Sequence, residues 1–137
     1  MVNIISGKKG TGKTKILIEA IHKAGNESKG DVVAIQLGTG LNDDIHHGIR
    51  LINIGDYKIT DVSSLYGFIA GLLASDYDCT DIFVDGLLKI TGAPIAEIGG
   101  FLAKIENISA ETSITFTLSE DDGLPDDIKK YVRSVAK

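Results

Sequence analysis

One eight-residue pattern constrains this chain more than any other feature. Two glycines have four residues between them, and the second is followed by lysine and threonine, in the run Gly7, Lys8, Lys9, Gly10, Thr11, Gly12, Lys13 and Thr14. The apolar run 2–6 comes just before this glycine loop (residues 7–14), and residues 14–24 after it carry apolar side chains at helical spacing. A strand, a glycine-rich turn and a helix in this order predict a loop whose backbone N–H groups surround a phosphate chain.

The last two residues of the loop have separate predicted roles. Lys13 supplies a positive charge to the β and γ phosphates of a nucleotide, and the Thr14 hydroxyl is a ligand for a magnesium ion that bridges them. We therefore predict that ATP and Mg²⁺ are the cofactors, with all eight loop residues at the nucleotide. Adenine is the default base because the sequence lacks the N-K-x-D pattern that recognises guanine. The alternative is a solvated turn of glycines and lysines.

An aspartate after a second apolar run completes the predicted site. Asp85 follows residues 82–84, and a carboxylate at the carboxyl end of a buried strand is suited to hold the magnesium shell. Asp81 precedes the same run and is expected at the opposite edge of the sheet. The alternative for Asp85 is a turn residue, because Gly86 follows it. Lys13 and Asp85 are thus the predicted catalytic residues, and Thr14 and Asp85 the predicted metal ligands.

In these two features the sequence resembles the P-loop NTPases, with the loop and Asp85 as their Walker A and Walker B motifs. The resemblance covers the whole chain and implies a three-layer α/β/α P-loop fold with a mostly parallel sheet of about five strands. More narrowly, residues 6–14 and 82–90 are similar to a small bacterial family of about this length, often labelled after twitching-motility ATPases. No function is established for that family, so this resemblance implies no particular activity.

A second resemblance concerns Lys8. The loop is similar to the GKGGxGKT loop of the partitioning and division ATPases, in which an extra lysine reaches the nucleotide of a dimer partner. Lys8 would hold that role here, although Lys9 replaces a glycine of the pattern. The alternative is an ordinary exposed lysine.

The remaining apolar periods alternate between short and long stretches, as expected of an α/β protein. They predict strands at 2–6, 32–37, 49–54, 82–84 and 113–118. Helices are predicted at 14–24, from Thr60 or Asp61 onward, at 93–110, and from 124 to Lys137. The simplest arrangement puts strand 113–118 between strand 2–6 and the Asp85 strand, and leaves no strand on the other side of strand 2–6.

Length and composition exclude several classes of protein. The 137 residues, 43% hydrophobic and 24% charged, fit one domain spanning residues 1–137. A net charge of −5 with only two arginines disfavours an extended nucleic-acid surface. The longest apolar stretch, 65–74, is about half the length of a membrane span and predicts a buried helix instead. The single cysteine, Cys79, cannot form a disulfide within the chain and is expected to be buried. This is typical of proteins in a reducing compartment, so we expect a cytoplasmic protein.

Hydrolysis of ATP needs a group that activates water, and the sequence offers no clear one. RecA-like ATPases often place a glutamate directly after the metal-binding aspartate, where this chain has Gly86. Beyond the last predicted strand, Glu120, Asp121 and Asp122 are candidate carboxylates and Ser119 is a candidate γ-phosphate contact, with a solvated loop as the alternative for each. We therefore predict slow unaided hydrolysis.

Two further groups of residues carry weaker hypotheses. His46 and His47, with Asp43 and Asp44, suggest a metal cluster, but adjacent histidines on a loop point apart and disfavour it. Arg50 and Arg133 are candidate arginine fingers, with a surface ion pair as the alternative role.

Together these observations predict a weak or partner-activated ATPase with a regulatory role, acting through a protein partner or a homodimer. One alternative is a small-molecule kinase, disfavoured because such enzymes usually cover the phosphates with an arginine-bearing lid. The other is a degenerate P-loop module that binds partners without turnover.

Overall fold

The structure, a computed structural model, describes residues 1–46, 48–120 and 123–137. These residues form a six-stranded sheet, five α-helices and one 3-10 helix, Ile54–Tyr57. The strands are β1 (Val2–Ser6), β2 (Asp31–Gln36), β3 (Arg50–Asn53), β4 (Cys79–Val84), β5 (Ser113–Leu118) and β6 (Val132–Val135). The helices are α1 (Lys13–Glu27), α2 (Val62–Ser75), α3 (Leu87–Thr91), α4 (Ile95–Ser109) and α5 (Asp126–Lys129).

The sheet is parallel throughout, in the order β3-β2-β4-β5-β1-β6. Strand β5 therefore lies between β1 and β4, which confirms the predicted position of strand 113–118. In a parallel sheet all carboxyl ends meet at one edge, where ligands bind in open α/β folds. The glycine loop leaves β1 at this edge, and Asp85 leaves β4 at the same edge.

Helices cover both faces of the sheet. In β1, Ile4 packs into a hydrophobic cluster with residues of α2 and α4, whereas its neighbour Ile5 packs with Leu17 and Ile21 of α1. Successive side chains of a strand point to opposite faces, so the near-continuous apolar strands fill two separate cores. The prediction of an α/β protein with helices on both faces is confirmed.

The carboxyl-terminal segment corrects the sequence-based prediction. The helix predicted from residue 124 to Lys137 is wrong, since only α5 is helical and the chain then enters β6. Strand β6 pairs with the free edge of β1, where the Ile4 N–H donates to the Tyr131 carbonyl and the Ala136 N–H to the Ser6 carbonyl, both at 2.8 Å. These hydrogen bonds satisfy backbone groups that would otherwise be unpaired, which a helix cannot do.

This pairing also corrects the predicted number of strands. The sheet has six strands among the described residues, not about five. The prediction that no strand lies on the other side of β1 is wrong, because β6 occupies that position. The β-branched Val132 and Val135 fit an edge strand, but the basic residues around them resemble the last turn of a helix.

Helix boundaries follow local signals more closely. Asp61, one of two predicted caps, accepts a hydrogen bond from the Ser64 N–H and starts α2, which contains the apolar stretch 65–74. Pro94 precedes α4 as its N-cap. The short helix α3 was not predicted. Among the described residues no helix combines the length and apolar character that crossing a membrane requires.

Cys79 begins β4 and is buried, as predicted. Burial raises the pKa of its thiol to about 11. The thiol is therefore protonated near neutral pH and is a poor nucleophile.

Candidate functional site

A cleft of about 320 Å³ opens at the carboxyl edge of the sheet. It lies between the glycine loop and the residues that follow β4 and β5. The described residues that line it are Lys9, Gly10, Gly12, Lys13, Thr14, Leu37, Asp85, Gly86, Lys89, Thr117 and Ser119. The structure thus brings Lys13 and Thr14 together with Asp85, which follows them by about seventy residues in the sequence.

The shape of the loop depends on glycine at two positions facing the cleft. Gly10 and Gly12 have φ values of 82° and 92°, in the left-handed region that other residues rarely adopt. A Cβ atom added at either position would meet no other atom within 4 Å. These glycines are therefore required by the backbone conformation, and the space beside them is open to a ligand.

Gly7 has a different role at the base of the loop. It is buried, and an added Cβ would lie 2.9 Å from the Ala136 carbonyl oxygen, just beyond β6. The unpredicted strand β6 thus packs the chain directly against the start of the loop.

Lys13 is the first residue of α1 and is only 8% exposed. Its ammonium donates to the Lys8 carbonyl at 2.7 Å, and the Thr11 hydroxyl donates to the same oxygen at 2.6 Å. The N-cap of α1 is Gly12, which has no side chain to accept from the first-turn N–H groups. A buried cation beside such N–H groups at the start of a 15-residue helix favours an anion.

Asp85 is held by hydrogen bonds to two neighbouring strands. Its N–H donates to the Ile35 carbonyl at 2.9 Å, and its Oδ1 accepts from the Thr117 hydroxyl at 2.8 Å. The same hydroxyl accepts from the Gly86 N–H at 2.7 Å. Because Thr117 is only 2% exposed and lies on β5, these bonds fix the carboxylate at the cleft.

These residues fit a nucleotide with Mg²⁺. The Thr14 hydroxyl and the Asp85 carboxylate supply hard oxygen donors within one cleft, and Mg²⁺ in proteins commonly uses one or two such ligands together with phosphate oxygens and water. Lys13 and the first-turn N–H groups of α1, which no side chain caps, suit the phosphates. The described residues contain no cluster of three or more His, Cys, Asp or Glu that could hold a metal by itself.

Several predicted residues lie outside the cleft. Gly7, Lys8 and Thr11 belong to the loop but do not line the cleft. The Lys8 carbonyl accepts the hydrogen bond from the Lys13 ammonium. Neither arginine lines the cleft; Arg133 is exposed and donates to the Lys130 carbonyl at 3.2 Å. Arg50 lies in β3, at the far edge of the sheet.

The remaining candidates give a mixed result. Ser119 lines the cleft and Glu120 does not, while Asp121 and Asp122 lie outside the described residues. His46 accepts from the Gly48 N–H at 3.2 Å and its ring stacks near that of His22. His47 lies outside the described residues.

Four residues of the cleft were not predicted: Leu37, Gly86 as a wall residue, Lys89 and Thr117. Thr117 stands in a run of β-branched residues that predicts only a strand, and Lys89 stands on the unpredicted helix α3. Nothing in the local sequence indicates that they face a common cleft.

Comparison with known proteins adds evidence on the fold. No model of a known protein family matches this chain, and no curated protein matches it in sequence. Among solved structures, C. elegans PCH-2 is similar with a TM-score of 0.56 and 14% sequence identity, over 98% of this chain. This chain spans about a third (34%) of that protein's length. At this identity the similarity concerns the fold alone.

Proposed function

We propose that this chain is a P-loop nucleotide-binding domain that binds ATP with Mg²⁺ and acts as a weak or partner-activated ATPase with a regulatory role. One observation carries the proposal: a single cleft gathers Lys13, Thr14 and Asp85 at the carboxyl edge of a parallel sheet. The glycine loop and Lys13 would bind the phosphates. Thr14 and Asp85 would hold Mg²⁺, which neutralises the phosphate charge and orients the terminal group.

The lining of the cleft supports slow hydrolysis by the chain alone. Among its described residues Asp85 is the one carboxylate, and the proposal assigns it to the metal. Gly86 follows it with a φ of 89° and has no side chain to position water. A protein partner, or a second copy of the chain, would then supply the missing group, with Lys8 as a candidate contact across a homodimer.

Calorimetric titration with ATP, ADP and GTP tests the proposal, in Mg²⁺ and in EDTA. We expect ATP to bind, Mg²⁺ to strengthen binding, and purified protein to release phosphate slowly. Sedimentation with and without ATP and Mg²⁺ tests for a homodimer. The proposal fails if no nucleoside triphosphate binds, and ATP binding without any effect of Mg²⁺ would favour a degenerate module instead.

A further inference from the structure

A lysine on the far wall of the cleft has no assigned role. Lys89 lies on α3, four residues beyond Asp85, and is the one cation among the described lining residues that lies outside the glycine loop. Across the sheet the cleft runs from the loop after β1, past Thr117 on β5, to Asp85 and Lys89 after β4. Lys89 and the glycine loop thus stand on opposite walls.

The backbone of Lys89 is held firmly while its side chain is exposed. Leu87 and Ile90 of α3 are at most 4% exposed, whereas Lys89 is exposed. The Thr117 hydroxyl accepts from the Gly86 N–H and fixes the entry to the helix. Within the part of the chain that the structure describes, no hydrogen bond or ion pair occupies the Lys89 ammonium. Its flexible four-carbon stem is therefore available to reach an anion in the cleft.

The order of groups across the cleft indicates which anion this would be. The loop would hold the chain of phosphates against α1 with Lys13 at the β and γ phosphates, and Mg²⁺ on Thr14 and Asp85 would draw the outer end of that chain towards Asp85. Its terminal group would then face the wall that carries Lys89. An ammonium at that position would interact with the third phosphate of a nucleoside triphosphate. It would have no phosphate to bind when the nucleotide is a diphosphate.

We infer that Lys89 is a specificity residue that recognises the terminal phosphate and so distinguishes a nucleoside triphosphate from a diphosphate. This inference rests on the proposed function. It gives the chain a positive charge opposite the glycine loop, where neither Arg50 nor Arg133 is present. Recognition would consist of one charge-assisted hydrogen bond with no covalent step.

The test compares affinities for a non-hydrolysable ATP analogue and for ADP, both with Mg²⁺, in the wild type and in Lys89→Ala. We expect Lys89→Ala to bind the analogue about tenfold more weakly and ADP within about twofold of the wild type. Lys89→Arg should retain most of the preference because it retains the charge. Lys23→Ala is the matched control, since it removes the same charge from the exposed surface of α1 and should change neither affinity.

The outcomes separate this inference from the proposal on which it depends. If the wild type binds neither nucleotide, both are overturned. If it binds both and Lys89→Ala lowers the two affinities equally, or neither, then Lys89 does not read the terminal phosphate although the chain is a nucleotide-binding protein. Circular dichroism and thermal melting of each variant confirm that the fold is intact, as expected for an exposed side chain.

Discussion

The Thr117 hydroxyl donates to Asp85 Oδ1 at 2.8 Å and joins the ends of β5 and β4 beneath the cleft. The same hydroxyl accepts from the Gly86 N–H at 2.7 Å, so one buried side chain sets both the direction of the carboxylate and the start of α3. Thr117 thus connects the proposed metal ligand to the helix that carries Lys89. A strand residue without charge organises the wall of the cleft that faces the glycine loop.

Thr117→Val removes this hydroxyl at nearly constant volume. It leaves the Gly86 N–H and Asp85 Oδ1 without their shared partner, so we expect a loss of about 1–3 kcal/mol of folding free energy. The increase in ATP affinity on adding Mg²⁺ should also shrink. Urea denaturation and calorimetry measure the two effects. Thr117→Ser, which keeps the hydroxyl, should retain the Mg²⁺ effect; equal loss in both variants would show that packing, not the hydrogen bond, is responsible.

Lys13→Ala tests the loop directly. Removal of a charge-assisted hydrogen bond to phosphate should cost about 1.5–3 kcal/mol, or one to two decades of ATP affinity. The fold should remain, because the Lys8 carbonyl that accepts from the Lys13 ammonium also accepts from the Thr11 hydroxyl and the Thr11 N–H. Titration calorimetry with ATP and Mg²⁺ gives the affinity, and circular dichroism checks the fold. An unchanged affinity would remove Lys13 from the site.

Asp85→Asn keeps the size of the side chain and an oxygen that accepts from Thr117, but removes the negative charge. We expect the contribution of Mg²⁺ to ATP affinity to fall by about tenfold, since a neutral amide is a weaker ligand for a hard cation. Affinity in EDTA should not fall, because no charge repels the phosphates. The measurement is a pair of titrations, with Mg²⁺ and with EDTA. A variant that still responds fully to Mg²⁺ would contradict the metal role.

Alanine substitutions at two glycines that do not line the cleft should change the stability of the fold in opposite directions. At Gly30 an added Cβ would overlap the backbone carbonyl of Asp78, so Gly30→Ala should destabilise the fold by about 1–3 kcal/mol. At Gly71, in α2, an added Cβ meets nothing within 4 Å. Gly71→Ala should therefore stabilise by about 0.5–1 kcal/mol through helix propensity. Urea denaturation measures both, and effects of the same sign would contradict this packing.

A pH-dependent change is expected at the amino end of β2. Hydrogen bonding and repulsion between the Asp31 and Asp76 carboxyl groups raise the pKa of Asp31 above 3.8. A raised pKa in the folded state stabilises the fold below the ordinary pKa, and this stabilisation is lost as the pH rises through the folded-state value. Asp31→Asn removes the charge and supplies an amide N–H that donates to Asp76, as the protonated Asp31 carboxyl does, so it should raise the melting temperature at pH 7.

Thermal melting between pH 3 and pH 7 measures this effect. The advantage of Asp31→Asn should vanish as the pH falls below about 3.8, where Asp31 of the wild type is protonated too. A constant difference across the range would indicate that the substitution acts through packing and not through ionisation.

Local sequence was sufficient for the elements with strong, uninterrupted signals. The glycine loop between an apolar run and a helical period, and the Asp61 cap before α2, were each predicted from neighbouring residues. The end of the chain was not, because residues 124–137 contain both helix-start signals and the β-branched valines of an edge strand. The unpaired edge of β1 decides between them, and that edge exists only after β1 and β5 have paired.

By itself the sequence determined an α/β protein with a glycine loop after its first strand and Asp85 after a later buried one. These are properties of short segments, set by glycine conformation and by the period of apolar residues. Only the tertiary structure decided that Thr117 holds Asp85, that β6 supports the loop at Gly7, and that Lys89 lines the same cleft as Lys13. Those relationships join residues from separate strands, and strand order follows from the packing of the whole sheet.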